Sequence, residues 1–163
     1  MRIVTNASPL IFLTKIDSLR LLQQCFSGVL APPGVVAETG LDLPDFVEQS
    51  RLSGVGEAFV RGALGTLHRG EVETLVLARE RNIDLVAVDD GAARRKAVQM
   101  GLRPLGTVGI LVLARRFGHL DEPTALDKLN QLVDRHGLYL SSAIIHRVRG
   151  AFAEQRTDAP EEH

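Results

Sequence analysis

Two hydrophobic periods alternate along this chain. Short apolar or β-branched runs stand at 3–5, 29–31, 83–88 and 102–105, and each is short enough to read as a strand. The run at 83–88 is interrupted only by Asp84, as expected of a central parallel strand covered on both faces. Between these runs, apolar residues recur at helical spacing. Helices are predicted over 9–15 (Leu10, Phe12, Leu13), 18–26 (Leu19, Leu22, Phe26) and 70–81 (Val72, Leu75, Val76, Ala78). A further helix after Pro32-Pro33 carries Val35, Val36 and Glu38, and others are predicted over 92–98, 107–117, 123–135 and 142–152. Ser8-Pro9 reads as an N-cap followed by proline at the first helical position. Gly28, Gly101, Gly118 and Gly137 mark breaks, and Asn82 is a C-terminal cap that tolerates the left-handed conformation. The pattern is weak from 40 to 65, where helices are expected over 43–51 and 57–64.

Strands alternating with helices imply a three-layer α/β/α fold around a central parallel sheet. Right-handed crossovers gather the C-terminal strand ends along one edge, where open α/β sheets place their ligands. A single domain is expected over residues 1–153, with 154–163 a frayed tail lacking apolar periodicity. No repeat or linker divides the chain.

Composition narrows the function. The 163 residues carry 45% hydrophobic and only 4% aromatic side chains, so the core is built from Leu, Val, Ile and Ala, and a broad base-stacking surface is not expected. A formal net charge of −1 excludes a generally basic nucleic-acid binder; any such contact needs a local patch. Cys25 is the only cysteine, so no intrachain disulfide forms. No signal peptide or membrane-length apolar run is read, and a cytoplasmic protein without membrane contact is expected.

Acidic and amide side chains fall where strands end and helices begin: Asn6, Glu38, Glu71 with Glu73, and Asp89 with Asp90. Each has an ordinary reading when taken alone. Asn6 can satisfy a turn, Glu71 and Glu73 can favour the positive end of a helix dipole, and Asp89-Asp90-Gly91 can be turn and cap. Together they form a set of hard oxygen donors suited to Mg²⁺ or Mn²⁺, ions that activate water against a phosphodiester. Ser8 is an N-cap by position. Lys15, seven residues on, lies on the same helical face. Arg94, Arg95 and Lys96 follow the acidic edge and are either a solvated face or a grip on an RNA backbone. Thr107 between Gly106 and Gly109 opens a helix with an anion-friendly start. The five histidines show no zinc-ligand spacing.

These motifs resemble those of PIN domains, the metal-dependent nuclease fold that includes VapC-type toxins. The family's opening Asp-x-Ser/Asn-x-Leu-Ile is matched by Asn6-Ala7-Ser8-Pro9-Leu10-Ile11. The second acid is matched by Glu38 after Pro32-Pro33, and the third by Gly70-Glu71-Val72-Glu73, with Glu73 the better match. The last acid is matched by Val88-Asp89-Asp90. The similarity spans nearly all of residues 1–150 and is nearest a PIN-like subgroup that begins Asn-x-Ser-Pro-Leu-Ile. It implies a metal-dependent ribonuclease with Glu38, Glu73, Asp90 and Asn6 as catalytic residues. Asn6, Glu38, Glu73, Asp89 and Asp90 would hold Mg²⁺ or Mn²⁺, and Ser8, Lys15, Arg94, Arg95 and Thr107 would meet RNA. A small antitoxin is the implied protein partner; separately, the apolar C-terminal helices and the weakly patterned 40–65 segment leave a homodimer open. The departure is Asn6, which stands where catalytic members carry aspartate and removes one negative charge. A catalytically silent PIN-like module that binds RNA or a protein is therefore the alternative. A nucleotide-binding α/β domain is a third reading, but the first turn lacks a glycine fingerprint.

Overall fold

The structure is a computed structural model that describes residues 1–63 and 65–154. Five parallel strands form one sheet in the order β3-β2-β1-β4-β5. They are β1 (Arg2–Thr5), β2 (Gly28–Ala31), β3 (Val47–Gln49), β4 (Leu85–Ala87) and β5 (Arg103–Leu105). The helices are α1 (Ala7–Lys15), α2 (Arg20–Cys25), α3 (Pro33–Thr39), α4 (Gly54–Ala63), α5 (Arg69–Glu80), α6 (Gly91–Gln99), α7 (Thr107–Arg116), α8 (Glu122–Asn130) and α9 (Ser142–Ala153). A π-helical turn, Gln131–Arg135, extends α8.

Strand alternation divides the core. Ile3 joins a cluster with α1, α2, α7, α8 and α9, whereas Val4 joins one with α5 and α6. Both residues are fully buried, as a central strand with helices on each face requires. Helix α3 packs against both α1 and α5 and so bridges the two layers. The order in which strands are added reverses between β1 and β4, because β1 leads outward to β2 on one side and β4 leads outward to β5 on the other. That switch point opens a crevice at the C-terminal strand ends.

Two expectations are corrected. The cap of α1 is Asn6, in extended conformation (φ −83°, ψ 175°), so Ser8 and Pro9 lie within the first turn. Proline is tolerated there because the first N–H groups of a helix have no partner within it. Residues 43–51 contain β3, not a helix: Val47 pairs with Val29 and Gln49 with Ala31. Strand β2 has a free outer edge to satisfy, and among 45–49 only Val47 is buried, which leaves no apolar helical face. The expected helix over 57–64 is observed as α4 from Gly54; its last residue, 64, and the expected tail from 155 onward lie outside the described residues. Asn82 (φ 53°) is left-handed as expected after α5. The Cys25 thiol is pushed up to about 11 by burial, which keeps it protonated and unreactive.

Candidate active site

The site is built from the ends of β1 and β4, the starts of α5 and α6 and the last turn of α3, so Glu38 reaches it from the end of its helix and not from the helix start that the sequence suggested. The Asn6 N–H donates to the Ala87 carbonyl at 2.9 Å, extending the β1–β4 ladder by one bond and fixing Asn6 at the crevice. Asn6 is 6% exposed, and among the described residues its Oδ1, also buried, has no hydrogen-bond partner. A buried carbonyl oxygen left unpaired costs about 1–3 kcal/mol, so one is kept only where something offsets it.

Helix α5 approaches this oxygen at Gly70. A Cβ on Gly70 would stand 2.7 Å from Glu38 Oε2 and 3.5 Å from Asn6 Oδ1. The absent side chain therefore leaves a small space on which a carboxylate and an amide oxygen converge. Farther along the same two helices the relation is reversed, with Glu73 Oε2 2.5 Å from where a Gly34 Cβ would lie. Glycine on each helix thus admits a glutamate from the other.

The two acids of α5 point to different neighbours. Glu71, 7% exposed, accepts the His68 N–H on Oε2 at 2.9 Å, closing the helix start. Its carboxyl is raised above the usual glutamate range, chiefly by burial, with added repulsion from Asp90 and Glu38. Glu71 therefore shares an electrostatic environment with those two acids. Glu73 instead accepts from Arg69 Nε at 2.7 Å on Oε1, and its Oε2 is buried without a partner against Gly34.

The adjacent aspartates also separate. Asp90 is exposed and caps α6 by accepting the Ala93 N–H at 3.0 Å. Asp89 turns away: Oδ1 accepts the Thr107 N–H and Oδ2 the Thr107 hydroxyl, both at 2.7 Å. Burial raises the Asp89 carboxyl, and these two bonds oppose the rise. Thr107, fully buried, is thereby committed to Asp89.

Of the remaining sequence candidates, Ser8 is half-buried in the first turn of α1. Lys15 lies in the last turn of α1, its ammonium 6.0 Å from the Phe12 ring centroid, at the helix end remote from the crevice. Arg94 Nη1 donates to the Val88 carbonyl at 3.3 Å and stands beside Asp89. Arg95 faces a separate surface pocket with Lys96 and Gln99. The crevice therefore gathers Asn6, Glu38, Glu71 and Asp90, with Asp89 and Arg94 on its α7 side. The signal that separates the paired acids is capping geometry at helix starts, which is not visible in residue type.

These donors are all oxygens, and the orphaned Asn6 Oδ1 beside Glu38 Oε2 fits a hard divalent cation in kind. Among the described residues, no three histidine, cysteine, aspartate or glutamate side chains are gathered closely enough to hold an ion as they stand.

A parallel α/β sheet with an acid-rich crevice at its switch point is a doubly wound fold with its candidate site where such sheets bind ligands. A family model described as a PIN domain matches residues 2–154, and the chain belongs to the PIN-domain family. Searches of curated proteins and of solved structures returned no match. The PIN fold is a nuclease fold whose members generally use divalent metals, commonly bind RNA and sometimes bind antitoxins. Among the described residues, no helix is long and apolar enough to cross a membrane.

Proposed function

We propose that this chain is a metal-dependent endoribonuclease that hydrolyses RNA phosphodiesters at the crevice, acting as the toxin of a toxin–antitoxin pair. The observation that carries the reading is the unpartnered, buried Asn6 Oδ1 facing Glu38 Oε2 across the space above Gly70. Asn6, Glu38, Glu71 and Asp90 would hold Mg²⁺ or Mn²⁺, with Glu71 preferred over Glu73 because its charge is coupled to Asp90 and Glu38. When bound, the ion would supply an activated water and offset charge on the phosphoryl oxygens. The chain's own part is to fix the donors. The β1–β4 ladder holds Asn6, the cap bond to His68 holds Glu71, and the cap bond to Ala93 holds Asp90.

Calorimetry with Mn²⁺ tests this. Glu71→Gln is expected to weaken binding about tenfold or more, and Glu73→Gln about threefold or less, since loss of a ligand charge lowers divalent affinity. Wild-type protein that binds no Mn²⁺ overturns the metal site.

A second reading is favoured by two observations: Asn6 brings no charge, and among the described residues no three acids stand close enough to hold an ion as they are placed. On that reading the chain is a silent PIN module that binds RNA or a protein. It predicts no RNA cleavage at any metal concentration and a gain of cleavage in Asn6→Asp. Cleavage by the wild type excludes it.

A further inference from the structure

Next to the crevice lies a second cavity of about 460 Å³, between α7, α9 and the segment 138–140. Val108, Val112, Leu140 and Ile144 contribute apolar wall, and Asp89 and Arg94 form the polar end. That end is open because residue 106 is glycine: a Cβ there would stand 3.1 Å from Arg94 Nη1 and 3.2 Å from Asp89 Oδ1. At the rim stands Tyr139, 89% exposed, the only tyrosine in a chain without tryptophan. Ile144 beside it is 41% exposed.

Three features of this cavity select its occupant. An exposed aromatic ring beside apolar walls suits a flat ring, since π-faces stack on tyrosine without regard to sequence. Arg94 supplies a guanidinium at the polar end of the same cavity. Asp89, fixed by Thr107 through both oxygens, holds the Arg94 guanidinium at that end by charge. A flat ring joined to an anion through a short linker is a nucleotide. The cavity lies beside the crevice, since Asp89 and Gly91 on its wall flank Asp90 in the chain.

We propose that this cavity is a nucleobase subsite, in which one base of a single-stranded RNA stacks on Tyr139 while Arg94 meets its phosphate. The choice of RNA rests on the ribonuclease reading above; the subsite positions a neighbouring nucleotide and takes no part in bond cleavage. One aromatic ring makes a single-base slot, consistent with a chain too poor in aromatics for a stacking platform.

Because Tyr139 is the sole tyrosine and there is no tryptophan, intrinsic emission excited near 280 nm reports on this ring alone (a wavelength of roughly that value is common to tyrosine phenols). The full chain is titrated with a 2′-O-methyl oligonucleotide, which resists cleavage, and binding is followed in parallel by anisotropy of a labelled copy. The expected result is saturable quenching that tracks the anisotropy, a loss of affinity of about tenfold in Tyr139→Ala, and a smaller loss in Arg94→Gln. Tyr139→Phe should retain most of the affinity, which separates stacking from hydrogen bonding. Binding without quenching, or no binding, overturns the subsite. Emission that changes with protein concentration alone, or with an apolar helical peptide and not the oligonucleotide, overturns it in favour of a protein occupant. Quenching without cleavage of unmodified RNA supports the subsite while the ribonuclease reading fails, so the two are judged separately.

Discussion

The two flanks of the crevice use acidic and amide side chains in opposite ways. On the α6–α7 flank, the inner acid is spent: Asp89 takes two 2.7 Å bonds from Thr107, whereas Asp90 gives one oxygen to the Ala93 N–H and keeps the other for the crevice. On the α3–α5 flank, acceptors are left over: among the described residues Asn6 Oδ1 and Glu73 Oε2 are buried with no partner, and Glu38 lies over an empty glycine position. A spent acceptor stabilises the fold it belongs to, whereas an unspent one costs stability until a ligand arrives. The difference marks Asp89 as a brace between β4 and α7, and Asn6 with Glu38 as the part of the edge that awaits something. Substitutions on the two flanks should therefore move stability and binding in opposite proportions.

The largest effect is expected at the brace. Asp89→Ala removes two charge-assisted bonds and leaves the Thr107 N–H and hydroxyl unpaired in a buried position. Urea unfolding should show a loss of about 2–4 kcal/mol. Thr107→Ser should lose less than about 1 kcal/mol, because the hydroxyl is kept and only a methyl goes. A loss under 1 kcal/mol in Asp89→Ala would mean that this flank is no more committed than the other.

Next is Gly70→Ala on the opposite flank. The new Cβ would meet Glu38 Oε2 at 2.7 Å and Val35 Cγ2 at 3.4 Å, so the Glu38 carboxylate must move. Mn²⁺ affinity should fall about tenfold, as for a displaced ligand. Stability should change by no more than about 1 kcal/mol, since alanine is the better helix former by roughly that amount. Thermal unfolding and calorimetry on one preparation check both halves. An unfolded variant would place Gly70 with the structural glycines instead.

How much of this was legible in the sequence follows from the kind of signal each part carries. Strands β1, β2 and β4 and helices α5–α9 were readable because their apolar periods and caps agree, as at Asn82 and Gly118. Strand β3 was not, because its reason to exist is the unpaired edge of β2, a demand made by another part of the chain. The acidic edge was readable as a set of positions. Its division into spent and unspent acceptors was not: Asp89 and Asp90 are identical in type and differ only in which helix start they reach. Glu71 and Glu73 differ in the same way, one turned to the His68 N–H and the other to Gly34. Tyr139 carried no signal at all, since nothing in its local pattern says that α7 and α9 leave a cavity beneath it.

The smallest effect, and the most pointed, is at Asn6. Asn6→Ala deletes a buried oxygen that bonds to nothing, so relief of that orphan offsets the packing lost with the amide. Stability in the absence of metal should stay within about 1 kcal/mol of the wild type, in contrast to Asp89→Ala. Asn6→Asp should do the reverse of a repair in metal-free buffer. It places a carboxylate at a 6% exposed position near Glu38, and like charge and desolvation together lower stability. Adding Mn²⁺ should then return more stability to Asn6→Asp than to the wild type, because an added charge strengthens a hard-cation site. Melting temperatures of the three proteins with and without Mn²⁺ decide it. A metal-induced rise in Asn6→Asp no larger than in the wild type would mean that the Asn6 oxygen faces no ion, and that the unspent flank is unspent for another reason.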